Sequence, residues 1–191
     1  MSIIDMIMGV ITAPYKTLGS IVRNKPIYWA IIINIFLIPL YNITLTAVEP
    51  GFYLNGKMLF LNTVVSVISG IGFLLFVTLI FTIVGRIFGG QWDYWGLFSA
   101  LSFSNVIYVF TPFVALISVL VDNLTLIYLF SFIIFIWMTV LYIYSFKNSL
   151  KLSTGKAVAT YLLSGVAAVV TIFLVVLIPV LILLLMGVTL I

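Results

Sequence analysis

The side chains that carry most enzymatic chemistry are scarce in this chain of 191 residues, which has no cysteine, no histidine and four acidic residues. Without cysteine there is no thiolate nucleophile and no zinc–thiolate site. Without histidine the usual proton shuttle near neutral pH is missing, and a serine hydrolase would lack its general base. An aspartyl protease needs two carboxylates at one site, but an apolar segment separates Asp93 from Asp122. The residue types therefore predict no enzyme, no metal site and no cofactor.

The few charged residues divide the chain into long uncharged segments. Only 6% of the residues are charged and 65% are hydrophobic, whereas soluble domains are about 25% charged. The uncharged segments are 26–48, 58–85, 94–121, 123–146 and 157–191. Each exceeds the roughly 20 residues that cross a bilayer as a helix. The sequence therefore predicts an all-α, polytopic membrane bundle. Proton-coupled transport and voltage sensing are disfavoured, because both need ionisable groups inside the membrane.

The predicted organisation is an amphipathic segment at residues 1–25 followed by a transmembrane bundle at 26–191. Five spans are expected, and they cover about 27–48, 58–85, 97–121, 123–146 and 157–180. The last uncharged segment contains no polar turn that would divide it, so one long helix is favoured over a hairpin. Six shorter spans are the alternative.

The basic residues predict the orientation of the bundle. If the N-terminus is cytoplasmic, seven of the eight Lys and Arg residues fall on the cytoplasmic side and only Lys57 falls outside. The positive-inside rule therefore predicts a cell-membrane protein with a cytoplasmic N-terminus and an external C-terminus. This distribution favours anionic lipid headgroups, not nucleic acid, as partners of the basic side chains. The candidate headgroup contacts are Lys16, Arg23, Lys25, Arg86, Lys147, Lys151 and Lys156.

The first 25 residues place apolar side chains at three- and four-residue intervals, with polar side chains opposite them. This pattern predicts an amphipathic helix, or two helices if Pro14 begins a second one behind Thr12 as its cap. A helix lying flat on the cytoplasmic leaflet, with its basic residues towards phosphates, is favoured. The alternative is a short lead-in to the first span.

Uncharged polar residues inside the predicted spans are the candidate contacts between helices. Asn34 lies in the first span, and Asn62 and Ser66 share a face of the second. Asn105, Tyr108 and Pro112 share a face of the third. Helices in lipid associate through small residues and interhelical hydrogen bonds, so packing is favoured. The lining of a pore or ligand pocket is the alternative.

Aromatic residues mark the expected membrane interfaces. Trp92, Tyr94 and Trp95 lie between the second and third spans, and Tyr142 lies near the end of the fourth. Rings with a polar edge settle at headgroup depth, so these residues are interpreted as interfacial anchors. Trp137 is the exception, because it lies deep in the fourth span, where its indole N–H needs a partner or a packed interior.

Three blocks of sequence resemble the Yip domain family, small multispanning membrane proteins related to the Ypt/Rab-GTPase interactors of eukaryotic Golgi and ER. The first is Ala13-Pro14-Tyr15-Lys16-Thr17-Leu18 leading to Arg23-Asn24-Lys25-Pro26, similar to the family's proline-led entry to span one. The second is Gly89-Gly90-Gln91-Trp92-Asp93-Tyr94-Trp95 followed by the third span and Pro112. The third runs from Trp137 to Lys147 and continues with the Lys156-Ala157 entry to span five.

The resemblance implies five spans and a cytoplasmic N-terminus. Because the long N-terminal region and the Tyr-Gly-Pro stretch of eukaryotic members are missing, the chain resembles the short prokaryotic type, and neither Rab binding nor any functional residue is carried over. The expected function is a non-enzymatic scaffold or adaptor that contacts itself or other membrane proteins through its helices. The alternative is a small transport subunit or lipid-handling protein that binds an uncharged ligand between helices.

Overall fold

The computed structural model of the chain describes residues 2–47, 56–121, 123 and 125–185. The helices of this part are α1 (Ile3–Thr12), α2 (Pro14–Asn24), α3 (Ile27–Ala47), α4 (Gly56–Ile87), α5 (Tyr94–Ser104), a 3-10 turn (Asn105–Phe110), α6 (Thr111–Leu120), α7 (Thr125–Ser149) and α8 (Thr154–Leu185). Within these residues, five segments are long and apolar enough to cross a membrane, and the third combines α5, the 3-10 turn and α6. The predicted all-α, five-span class is confirmed. Asp122 lies outside the described residues.

The amphipathic N-terminal segment consists of two helices. Ser2 and Asp5 cap the start of α1 reciprocally, and the Ser2 backbone N–H, which donates to the Asp5 carboxylate, lowers the pKa of that carboxyl below its ordinary value. Pro14 begins α2, as predicted. Thr12 is not its cap, because the N-cap residue is Ala13 and the Thr12 hydroxyl donates to a carbonyl of α1.

The apolar side of α2 packs on protein. Leu18 and Ile21 are fully buried and Val22 is nearly so, and the helix lies against α5 and α7. The Asn148 amide of α7 donates to the backbone carbonyl of Tyr15 at 3.3 Å, which fixes the start of α2 to α7. The predicted apolar face therefore exists. It is covered by other helices of the bundle and not by the lipid leaflet that the sequence pattern predicts.

The third span is not the continuous helix that was expected at 97–121. It begins at Tyr94, changes to the 3-10 turn at Asn105 and resumes as α6 at Thr111. Pro112 explains the break, because proline has no N–H to offer the carbonyl four residues earlier and its ring crowds that carbonyl. The carbonyl of Tyr108 instead accepts from the Thr111 N–H, three residues on. Pro112 thus occupies the first turn of α6.

The break divides the bundle into two different halves. Every residue of 96–104 in α5 is buried, and α5 packs against α2, α3, α4 and α7. The small residues of this stretch, glycine, serine and alanine, allow the neighbouring helices to approach closely. Beyond the break, α6 packs mainly against α3 and α7. In the α5 half the third span therefore fills the centre of the bundle, whereas in the α6 half it leaves space beside α4 and α8.

Candidate functional site

A chain of hydrogen bonds joins α3, the 3-10 turn and α7 where the third span breaks. The Asn105 amide N–H donates to Asn34 Oδ1 at 3.0 Å, and the Tyr142 hydroxyl donates to Asn105 Oδ1 at 3.1 Å. Asn34 is 1% exposed, and its own amide donates to the carbonyl of Ala30 at 2.8 Å. The structure thus brings together Asn34 and Asn105, both predicted as contacts. Tyr142, predicted as an interfacial anchor, is instead the third member of the network.

Further tyrosines surround this network and leave hydrogen-bonding capacity unused. The ring centroids of Tyr108 and Tyr41 lie 4.8 Å apart. The hydroxyls of Tyr161 and Thr139 share a hydrogen bond of 3.2 Å. Within the described part of the chain, the Tyr108 hydroxyl has no hydrogen-bond partner, and Asn105 uses only one of its two amide hydrogens. Two polar groups at the break are therefore available to a ligand.

A cavity of about 740 Å³ opens above this polar floor. Its apolar walls come mainly from α4 and α8, with Phe73 and Val77 on one side and Leu162 and Val166 on the other. Asn34, Asn105, Tyr108, Tyr142 and Tyr161 supply the polar part. None of the described residues that line it is charged. The volume falls within the roughly 300–1,000 Å³ typical of small-molecule sites, so we name this space the central cavity.

The central cavity follows directly from the broken third span. Irregular backbone at membrane depth is tolerated where it is buried in protein or lines a cavity, and the turn at Asn105–Phe110 does both. Broken helices near the bilayer centre also form the binding sites of many transporters. Pro112 does not touch the cavity, but it causes the break that forms it.

Asn62 and Ser66 lie apart from this site. They line a groove of about 490 Å³ between α3 and α4, together with Asn42 and Ser69. The hydroxyls of Ser66 and Ser69 donate to carbonyls of their own helix. The side-chain amides of Asn42 and Asn62 have no partner among the described residues and are exposed. Only some of the predicted polar contacts therefore converge, and this second group faces outwards.

Trp137 lies at the surface of the bundle. It is 36% exposed and lines an apolar groove of about 400 Å³ beside Ile11, Ile107 and Ile134. No described residue accepts a hydrogen bond from its indole N–H. Trp137 therefore lies at the edge of a groove, and its role as a packing or ligand contact stays a prediction.

The seven predicted headgroup contacts lie at one end of the bundle, which we name the basic end. The α2–α3 junction meets the α4–α5 loop through the Lys25 Nζ to Asp93 Oδ1 ion pair at 2.7 Å. The α4–α5 loop meets the α7–α8 loop through a Gln91 to Leu150 backbone hydrogen bond. Lys147 donates to Thr154 at 3.0 Å. The other five predicted headgroup contacts have exposed side chains, and they are Lys16, Arg23, Arg86, Lys151 and Lys156.

Comparison with known proteins supplies the family. The model of the Yip1 domain matches residues 8–191, which is nearly the whole chain. No curated protein and no solved structure matches the chain. The match includes the second amphipathic helix, all five spans and every residue of the central cavity. The chain therefore belongs to the Yip1 domain family and is a multi-pass membrane protein.

Proposed function

We propose that this protein is a non-catalytic membrane protein that holds a neutral lipid-like molecule in the central cavity. The observation that carries the proposal is the combination of apolar walls with two unused hydrogen-bonding groups, on Asn105 and Tyr108, at the break in the third span. Ligand sites are characteristically apolar with a few placed polar groups that orient the ligand. The acyl or isoprenoid part would lie between α4 and α8, and a hydroxyl or carbonyl group would reach the floor.

The absence of charge in the lining selects the ligand class. All described lining residues are neutral, so an ionised headgroup entering the cavity would lose its hydration without gaining an ion pair. Such desolvation costs several kcal/mol even after relaxation. A monoacylglycerol and the ionised fatty acid of the same chain length differ in this property, and they therefore make a matched pair of probes.

We expect monoacylglycerol to raise the unfolding temperature of the purified protein in a mild detergent, whereas the fatty acid at pH 8 should raise it much less. At a hundredfold excess over Kd the stabilisation is about 2.7 kcal/mol. Tyr108→Phe should weaken monoacylglycerol binding roughly three- to tenfold, the effect of one hydrogen bond, without lowering the stability of the free protein. Tyr128→Phe, on an exposed tyrosine of α7, is the control.

Two results would contradict the proposal. One is equal stabilisation by the fatty acid and the monoacylglycerol, which would indicate a detergent-like surface effect. The other is unchanged monoacylglycerol affinity in Tyr108→Phe together with unchanged affinity in Asn105→Leu, because the polar floor would then take no part in binding.

An adaptor role is the second candidate, and the outward-facing groove between α3 and α4 favours it. The exposed amides of Asn42 and Asn62 lack partners among the described residues, and polar side chains on membrane helices commonly bond to a neighbouring helix. We infer that a second copy of the chain covers this groove.

We also propose an orientation in the membrane. The basic end faces the cytoplasm of the cell, its exposed lysines and arginines meet anionic headgroups, and the C-terminus lies outside.

Cysteine crosslinking tests the adaptor role cleanly, because the chain contains no cysteine. Asn62→Cys is expected to give a disulfide-linked dimer in native membranes under mild oxidation. Leu116→Cys, on an exposed apolar residue of α6, should give much less. Monomers alone from both variants would count against a self-associating adaptor.

A further inference from the structure

Another pocket, of about 590 Å³, opens at the basic end on the outer side of α4. Its walls differ in chemistry: the Lys25–Asp93 ion pair and three aromatic rings form one side, and apolar side chains of α4 form the other. It shares no lining residue with the central cavity. We name it the interfacial pocket, and its residues are Lys25, Leu75, Phe76, Leu79, Trp92, Asp93, Tyr94 and Trp95.

The two charges of the pocket are held side by side. Lys25 Nζ lies 2.7 Å from Asp93 Oδ1, and the two side chains are 47% and 19% exposed. The Asp93 carboxylate is held in place, because the same Oδ1 also accepts from the Gly96 backbone N–H in the first turn of α5 at 3.2 Å. The lysine is the more exposed partner and has a flexible stem. The pocket therefore offers one cation and one anion at a short separation, and its net charge is zero.

The aromatic wall supplies two more features of a headgroup site. Trp92 is 51% and Trp95 46% exposed, and indole rings prefer headgroup depth. Their faces also attract ammonium groups. Tyr94 donates its hydroxyl to the Leu75 carbonyl at 3.0 Å, which holds this wall against α4. Phe76 and Leu79 are exposed on the adjoining face of α4, where an acyl chain would lie along the helix.

We propose that the interfacial pocket binds a zwitterionic phospholipid, with the phosphate on Lys25 and the headgroup ammonium on Asp93 and the indole faces. The lipid would insert between the two charges, so each protein charge exchanges one ionic partner for another. An anionic lipid would satisfy Lys25 but leave Asp93 opposed by like charge. The carboxylate thus turns Lys25, expected from the sequence to bind anionic headgroups, into part of a site for a zwitterion.

The test compares dioleoyl-phosphatidylethanolamine with dioleoyl-phosphatidylglycerol, which share acyl chains and differ in headgroup charge. Bound lipid is counted by native mass spectrometry of the full-length protein in mild detergent. We expect wild-type protein to bind the ethanolamine lipid about tenfold more tightly, the effect of one charged hydrogen bond. Glycerophosphoethanolamine, which lacks acyl chains, should bind far more weakly because the α4 wall is then unused.

Charge variants distinguish a lipid site from a structural ion pair. Asp93→Asn keeps a good helix cap and should reverse the preference towards phosphatidylglycerol. Lys25→Gln should weaken both lipids about tenfold, since phosphate binding is common to them. Lys57→Gln, at the start of α4 and away from the basic end, is the matched control and should change neither.

Three outcomes would overturn the proposal. Equal affinity of the wild type for both lipids would remove the zwitterion preference. If Asp93→Asn lowered the unfolding temperature but left the ratio of the two lipid affinities unchanged, the ion pair would only stabilise the fold. Tight binding of glycerophosphoethanolamine would indicate a soluble phosphoamine, and not a membrane lipid, as the occupant.

Discussion

Leu18→Ala is expected to lower the free energy of unfolding by about 2–5 kcal/mol, the usual cost of emptying a fully buried leucine site. Leu18 has no exposed surface, and its helix α2 is packed against α5 and α7. The substitution would leave a void between three helices, and the neighbouring contacts would be lost without replacement. The loss is measured by denaturant-induced unfolding of the purified protein in detergent.

Ile4→Ala is the matched control, because Ile4 belongs to the adjoining amphipathic helix α1 but is 68% exposed. It should change the free energy of unfolding by less than about 1 kcal/mol, as exposed substitutions usually do. If the two variants were equally stable, α2 would be a helix that rests on the lipid surface and contributes little to the bundle.

The N-terminal sequence pattern predicts which face of α2 is apolar, but not which elements pack against it. The repeat of Leu18, Ile21 and Val22 identified the buried face of α2 correctly. It did not identify what covers the face, because lipid chains and protein interiors are both apolar and select the same residues. The covering elements lie far along the chain, and only the tertiary structure brings α5 and α7 to this helix.

The basic end was more predictable than its internal contacts. Lys and Arg positions between spans indicated that seven basic residues share one membrane face, and the structure places them at one end. The pairing of Lys25 with Asp93 was not predicted, since acidic residues contribute little to the positive-inside rule. The pair depends on the packing of two loops, which the order of charges does not determine.

In the third span, residues that were grouped from the sequence lie in a different local structure from the one that the grouping assumed. Asn105, Tyr108 and Pro112 were grouped by helical spacing, which assumes an unbroken helix. The sequence did contain the signal for the break, because Pro112 has no backbone N–H to donate to the Tyr108 carbonyl four residues earlier. Tyr142 was missed because an aromatic residue near a span end is usually an interfacial anchor, whereas here its hydroxyl donates to Asn105.

Gly165→Phe is expected to abolish the stabilisation by monoacylglycerol while the free protein keeps its unfolding temperature. Gly165 lines the central cavity on α8, and a side chain added there meets no atom within 4 Å. The phenyl ring would therefore occupy ligand space without displacing the bundle. Replacing a helical glycine also removes a penalty of about 0.3–1 kcal/mol, which works against any loss of stability.

Gly72→Phe controls for the added ring. Gly72 is also exposed within a spanning helix and also has open space around it, but it does not line the cavity. It should bind monoacylglycerol as the wild type does, so the pair separates loss of cavity volume from a general effect of a large apolar residue in α4 or α8. Wild-type binding in Gly165→Phe, with the fold intact, would mean that the ligand lies on the outer surface of the helices. Together with Tyr108→Phe, which keeps the volume and removes a polar group, the comparison assigns affinity separately to the walls and to the floor of the cavity.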